Sequence, residues 1–453
     1  MSQALADIYH SFNDKLNVIA APEDGSLQSL VTFNDTRVEP IHRWYTFKEG
    51  YSSNLLSWLH DENIIKGSRP LRLLDPYMGV ATSLLAAQLR HAKPGAIAVG
   101  IERNPAIRAI AYAKIQWPYY DTTRIQRLID ELVVAPGRLG EIYPIPNLST
   151  LTAVREDGRR AFDPAVLQDL LYYQSWVDKR CQSLPERDFF LLAWTAIIGE
   201  ASSTRKDGRA LRLLGSVRHP CVRSLIVTRA IMMLHDVCAV QSRGCAVGEV
   251  YALAGDARRL PFGTASFSAA CYSPPYLNNI DYSEVYKLEL WLRGDVNNAD
   301  DFRALRLGTL RSHPSIQFPE TTICDELKGQ TWIRRIRRCL LDALPDDRYK
   351  NMRRVLFSGY IDDMLLTLAE QKRVTEPGAP IVCVVGNSLH GGENKVLVCT
   401  DLIIAAAARA VGLQVERLQV ARQLPRRDHQ NGWLRETIII MRNPGRKGRR
   451  LEV

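Results

Sequence analysis

Ala269-Ala270-Cys271-Tyr272-Ser273-Pro274-Pro275-Tyr276 decides how this 453-residue chain is read. The run from Phe267 to Tyr272 is mostly apolar and has the length of a buried strand. Two consecutive prolines end it, because proline donates no N–H and cannot continue a ladder. A strand therefore stops in a stiff turn. Such a turn sets a hydroxyl (Ser273), a fixed carbonyl (Pro274) and an aromatic ring (Tyr276) close together at the carboxyl edge of a sheet, where ligands bind in open α/β folds.

Upstream, Leu71-Arg72-Leu73-Leu74-Asp75-Pro76-Tyr77-Met78-Gly79-Val80-Ala81-Thr82 reads as a short strand, a glycine-containing turn, and a helix from Ser83 to Arg90 opened by Thr82. A second strand, Ala96 to Ile101, ends in Glu102-Arg103-Asn104-Pro105 and passes into a helix to Ile115. Glu102 lies one βαβ step after Asp75, where an acidic side chain meets ribose hydroxyls. The first loop is not Gly-x-Gly-x-x-Gly and shows no pyrophosphate cradle, so an adenosine cofactor without phosphates fits better than NAD. A third strand, Val250 to Ala254, ends in Gly255-Asp256-Ala257, and the next strand leads directly to Ser273.

Ser273-Pro274-Pro275-Tyr276 resembles the Ser/Asn/Asp-Pro-Pro-Tyr/Phe motif of S-adenosylmethionine-dependent methyltransferases that act on exocyclic amino groups of bases. Asp75-Pro76-Tyr77-Met78-Gly79-Val80-Ala81-Thr82 is similar to that family's Asp-Pro-Phe-x-Gly-x-Gly-Thr cofactor loop, with Tyr77 for Phe and Ala81 for the last Gly. The resemblance covers residues 43 to 115 and 250 to 295 at motif level, and the strands of 381 to 441 more loosely. It implies a Rossmann-like class I methyltransferase sheet flanked by helices, with a largely helical insertion. It also implies S-adenosyl-L-methionine held by Tyr45, Phe47, Asp75, Tyr77, Gly79, Thr82, Glu102, Arg103, Asp256 and Ala257, with Asp256 accepting the adenine amino group and the aromatic segment Arg43 to Tyr51 covering the methionine end. Catalysis falls to Ser273, Pro274, Pro275 and Tyr276, whose oxygens draw the amino N–H groups out of the ring plane while Tyr276 stacks on a base flipped from duplex DNA. In the family, Ser at the first motif position accompanies cytosine N4 more often, and Asp or Asn accompanies adenine N6.

The chain divides into a loosely structured lead-in (1–42), the cofactor half of a core (43–116), a helical insertion suited to target recognition (117–248), the catalytic half (249–294), a helical basic segment (295–379), C-terminal core strands (380–442) and a basic tail (443–453). A composition of 46% hydrophobic and 24% charged residues is that of a globular protein, and a net charge of +10 favours a polyanionic partner. Candidate phosphate contacts are Arg205, Lys206 and Arg209 in the insertion, and Arg334, Arg335, Arg337 and Arg338 in the later segment. Nine cysteines without a Cys-x-x-Cys pair form neither a disulfide framework nor, with the histidines, a metal site. No apolar run reaches the ~18 residues of a membrane span, and the amino terminus lacks a basic leader, so the expectation is a cytoplasmic protein. The first expectation for function is a site-specific DNA methyltransferase forming N4-methylcytosine in restriction-modification or phage defence, with a cognate restriction endonuclease or defence protein as partner. N6-adenine methylation, base methylation on structured RNA, and a catalytically silent nucleic-acid-binding module are the alternatives.

Overall fold

The structure, a computed structural model, describes residues 2–47, 49–66, 69–146, 149–206, 211–244, 248–278, 280–320, 322–327, 331–391, 395–424 and 432–445. Eight strands make the main sheet: β1 (Val18–Ile19), β2 (Arg72–Asp75), β3 (Ile97–Glu102), β4 (Glu249–Ala254), β5 (Ala269–Tyr272), β6 (Pro380–Gly386), β7 (Gln414–Gln423) and β8 (Arg435–Arg442). Their order is β1-β7-β8-β6-β5-β2-β3-β4. Every neighbouring pair is parallel except those made by β8, which runs against both β7 and β6. From β2 the chain steps outward to β3 and β4, then returns to the other side of β2 with β5 and β6. The order reverses between β2 and β5, and such a switch point opens a crevice at the carboxyl ends of the strands. The mostly parallel α/β sheet flanked by helices is consistent with the expected fold.

Alternation along the strands divides the interior in two. Leu73, Ala269, Cys271, Val382, Val384, Ile438 and Ile440 face one core, while Leu74, Ala270, Tyr272, Ile381, Cys383, Val385, Ile439 and Met441 face the other. A strand covered on both faces has no polar face, which is why β6 reads as an unbroken apolar run. The first core is closed by helices Thr82–Arg90 and Pro105–Ile115 and by three helices of the insertion, Pro164–Arg180, Leu184–Ala201 and Val222–Gln241. The insertion is therefore continuous with the core of the sheet. The second core is closed by helices Gln3–Asn13, Trp332–Asp342, Lys350–Val374 and Thr400–Ala410.

The lead-in departs from expectation. Residues Gln3–Asn13 form a helix capped by the Ser2 side chain, burying Leu5, Ile8, Tyr9 and Phe12, and β1 pairs with β7. Those four residues have the i, i+3, i+4, i+7 spacing of one helical face. After the Pro-Pro turn two short helices, Tyr282–Val285 and Lys287–Leu292, meet at Tyr286. Helix Val222–Gln241 is long and apolar enough by length and composition to cross a membrane, with mean hydropathy 1.3. It carries the buried Asp236, whose carboxylate accepts hydrogen bonds from Ile41 N (3.1 Å), Arg43 Nε (2.9 Å) and Trp44 Nε1 (3.0 Å). This one side chain ties the insertion to the segment that precedes the core. Asp236→Ala leaves the buried Ile41 N–H and Trp44 Nε1–H unmet and the partly exposed Arg43 unpaired, and thermal and denaturant unfolding should show a loss of about 2–4 kcal/mol.

Candidate functional site

A cavity of ≈ 1030 Å³ opens at the switch point. Its floor is shaped by the loop after β2. Asp75 is buried, and its carboxylate accepts from Tyr77 N and the Tyr51 hydroxyl, both at 3.0 Å, and from the Ser83 hydroxyl. Burial pushes its pKa up to about 6, against the pull of those three hydrogen bonds. Gly79, at φ +52°, lies where a Cβ would sit 3.2 Å from the Phe47 ring. Ala81 takes φ +68°, a left-handed conformation that costs an alanine about 1 kcal/mol or more, so the turn expected of a glycine is kept without one.

Next to this loop, Glu102 ends β3 and accepts from Asn104 N at 2.7 Å. Burial is the main cause that pushes its pKa up to about 7. Asp256 follows β4, but its carboxylate is fully engaged: Arg258 approaches through N (2.9 Å), Nε (2.9 Å) and Nη2 (2.7 Å), and Arg103 through Nη1 (2.9 Å). Arg258 also reaches Asp363 at 3.0 Å, and Asp363 in turn holds Arg311. A free acceptor was expected at Asp256; the structure shows an ion-pair chain instead.

After β5 the two prolines turn the chain as expected. The Ser273 hydroxyl donates to Val384 O at 3.0 Å and lies 3.4 Å from the Tyr276 hydroxyl. Its single proton is committed to a carbonyl, so its remaining lone pairs are acceptors. The ring of Tyr276 lies against Gly386, where a Cβ would come 3.0 Å from Cε2, tighter than side chains ordinarily pack, so a glycine at the end of β6 gives the ring its room. Opposite, Phe47 stacks on Tyr286 with centroids 5.4 Å apart, and the Tyr286 hydroxyl donates to Glu49 at 2.7 Å. The far wall carries Asn387 and the Arg422–Glu436 ion pair.

Of the residues singled out in the sequence, Phe47, Tyr77, Gly79, Glu102, Arg103, Asp256, Ala257, Ser273, Pro274, Pro275 and Tyr276 line this one cavity. Tyr45, Asp75 and Thr82 stand behind its wall: Tyr45 donates to Glu289 at 2.8 Å and belongs to the core. Lys206, read as a phosphate contact, is paired with Glu289 at 2.6 Å and sits 4.0 Å over the Tyr286 ring. Arg205 is exposed on the short hairpin Thr204–Lys206/Leu211–Leu213, and Arg209 lies outside the described residues. So do residues 425–431 and the tail beyond 445. Arg334, Arg335, Arg337 and Arg338 line a separate groove of ≈ 310 Å³ on the helix that buries Ile333, Ile336 and Leu340. Three of them are engaged, Arg334 with Leu327 O at 3.0 Å, Arg337 with Asp325, and Arg335 at 4.6 Å over the Trp332 ring. Sequence reasoning missed Glu49, Arg258, Tyr286, His313, Asn387 and Glu436, which reach the cavity from six separate segments. Arg258, two residues past Asp256, was the one within reach of a local pattern.

No family model matches the chain. Type II methyltransferase M.BsoBI of Geobacillus stearothermophilus is 23% identical over 442 residues, covering 87% of this chain and 83% of that protein. Type II methyltransferase M.AvaI is 26% identical in both a Nostoc species and Anabaena variabilis, covering 90% of this chain and 86% of each relative. The chain is thus distantly homologous, over nearly its full length, to Type II methyltransferases.

The Glu102 environment gives a pH signature independent of any ligand. Its pKa is raised from 4.5 to about 7, so the folded state holds a proton that the unfolded state has lost across that interval. Its contribution to stability is therefore present below pH 4.5 and is lost as pH rises to about 7. Denaturant unfolding should show Glu102→Gln gaining on the wild type across this window, and parallel pH profiles would contradict the assignment.

Proposed function

We propose that this chain is a DNA methyltransferase of the Type II restriction-modification kind, transferring a methyl group from S-adenosylmethionine to the exocyclic amino group of a flipped base, cytosine N4 first. The observation that carries the reading is the convergence, at one switch-point cavity, of the Ser273-Pro274-Pro275-Tyr276 turn with the β2 loop and Glu102. Near full-length homology to named Type II methyltransferases supports it, and a cognate restriction endonuclease would be the matching partner.

The residues fit the cofactor at one end and differ from expectation at the other. Glu102 presents a carboxylate to hydroxyl donors, Gly79 removes a side chain from the approach, and Phe47 with Tyr286 supplies an apolar wall. Asp256 does not offer the free acceptor that an adenine amino group needs, so that amino group must be met by other atoms of the cavity. When bound, the cofactor supplies an activated methyl group on a sulfonium. The chain supplies the acceptors. A base amino nitrogen is conjugated with its ring, and Ser273 Oγ with the Pro274 carbonyl would take its two hydrogens and free its lone pair, while Tyr276 stacks on the ring. Among the described residues no cysteine lines the cavity. Carbon-5 methylation needs a covalent nucleophile, so this favours an amino target.

Incubation of the purified chain with S-adenosylmethionine and double-stranded DNA, followed by nucleoside mass spectrometry, should give N4-methylcytosine. N6-methyladenine in its place would change the base and keep the mechanism, 5-methylcytosine would overturn the mechanism, and methylation of RNA alone would overturn the DNA assignment. Ser273→Ala should lower the methylation rate by about a hundredfold. Calorimetry should show S-adenosylmethionine binding tightening as Glu102 ionises through about pH 7, with that dependence absent in Glu102→Gln.

A further inference from the structure

We propose that His313 accepts the proton shed by the target amino group, and that Ser315 and Asp281 fix it in the tautomer able to do so. The inference rests on the amino-methyltransferase reading above and extends it to a residue outside the Pro-Pro turn.

Counting hydrogens assigns the tautomer. Asp281 Oδ2 accepts from Arg306 Nε (3.0 Å), Arg306 Nη2 (2.7 Å) and the Ser315 hydroxyl. His313, Ser315 and Arg306 outweigh the burial of Asp281 and hold its pKa below the usual carboxylate value. A serine has one hydroxyl proton, and Asp281 receives it. Ser315 Oγ therefore faces His313 Nδ1, 2.7 Å away, with lone pairs only, so Nδ1 carries a hydrogen. Arg306 Nη2 donates to the same oxygen at 3.0 Å, in keeping with its role as acceptor. The charged groups facing the ring are Asp281 and Glu284, which favour its cation, and Arg306, which opposes it; burial dominates and keeps the ring neutral. Nε2 is then a bare lone pair.

That atom is enclosed and has no hydrogen-bond partner among the described residues, an unusual state for a buried polar atom. His313 is 1% exposed and lines the same cavity as Ser273, Pro274 and Tyr276. Methyl transfer needs a proton sink here. As the N–C bond forms and the donor's C–S bond breaks to leave a neutral thioether, the amino nitrogen must give up one N–H bond. The electron pair of that bond stays on nitrogen, and the proton passes to His313 Nε2. Ser273 Oγ and the Pro274 carbonyl can accept a hydrogen bond but are too weakly basic to keep the proton. The imidazolium keeps its Nδ1–H on Ser315, whose own proton rests on the Asp281 carboxylate; since Nε2 is covered in this structure, the side chains over it must shift both for the base to reach it and for the acquired proton to return to water.

Two measurements test this. In ¹⁵N-histidine spectra of the full chain, the resonances lost in His313→Gln should be those of a ring protonated on Nδ1 and bare on Nε2; a ring protonated on Nε2 overturns the proposal. In single-turnover methylation, the wild-type rate should fall toward low pH as His313 protonates. His313→Gln should be roughly a hundredfold slower and lack that limb, with cofactor affinity unchanged. A His313→Gln chain with the wild-type rate and the same limb overturns the role of His313 and leaves the methyltransferase reading standing, whereas a wild-type chain that methylates no base overturns that reading itself. If His313→Gln does not fold, Ser315→Ala replaces it: a mixture of His313 tautomers is expected, and a ring still protonated wholly on Nδ1 overturns the proposal.

Discussion

The β2 loop and the aromatic segment beside it are held at the crevice by the Asp75 carboxylate. It ends the central strand, and a buried carboxylate must be met by donors or cost several kcal/mol. Its donors are the ones that matter: Tyr77 N shapes the loop, Ser83 fixes the first turn of the following helix, and Tyr51 reaches across from the aromatic segment while its hydroxyl also lies 3.4 Å from the Cys271 carbonyl of β5. One buried charge thus positions pieces of four elements. Asp75 touches no part of the cavity surface, and its contribution is to hold in place the groups that do.

A second set of charges secures the roof. Asp256, Arg258, Asp363 and Arg311 alternate in sign from the end of β4 to helix Lys350–Val374 and the segment before His313. Arg258 also donates to the Gly308 carbonyl at 2.8 Å, and the Arg103 side chain packs against the same glycine, so helix Ala299–Gly308 is drawn over the Glu102 end of the crevice. Ion pairs of this kind owe their strength to partial burial, since exposed pairs contribute little.

The legible parts of the sequence were those whose signal is local. Strand β6 is an apolar run, β2 and β5 end in loops with their own chemistry, and Asp75, Glu102 and Ser273 each mark a strand end, so the order of motifs was enough to place the switch point. The N-terminal helix was missed in a lead-in read as loosely structured, although Leu5, Ile8, Tyr9 and Phe12 carry a helical stripe. What could not be read was pairing between distant side chains. Nothing near Asp256 says that Arg103 will share it, nothing near Lys206 says that Glu289 will neutralise it, and His313 acquires its environment from Asp281, Ser315 and Arg306 only after the chain has folded back. Local sequence announces which atoms a strand end offers; the tertiary fold decides which of them are already spoken for.

The reversal of strand order also sets a timetable. Arg72 of β2 exchanges hydrogen bonds with Ser268, 196 positions later, and β1 pairs with β7 some four hundred positions away. A chain emerging from its N-terminus can assemble β2, β3 and β4 with the insertion helices against them while one flank of β2 is still bare. Contacts so distant in sequence are slow to form, and an unpaired strand edge is sticky while it waits. The crevice therefore comes into being last, when β5 through β8 close the sheet. No N-terminal fragment of this protein can carry a finished site, and helix Gln3–Asn13, among the first residues made, docks only once helices Trp332–Asp342 and Thr400–Ala410 exist to receive it.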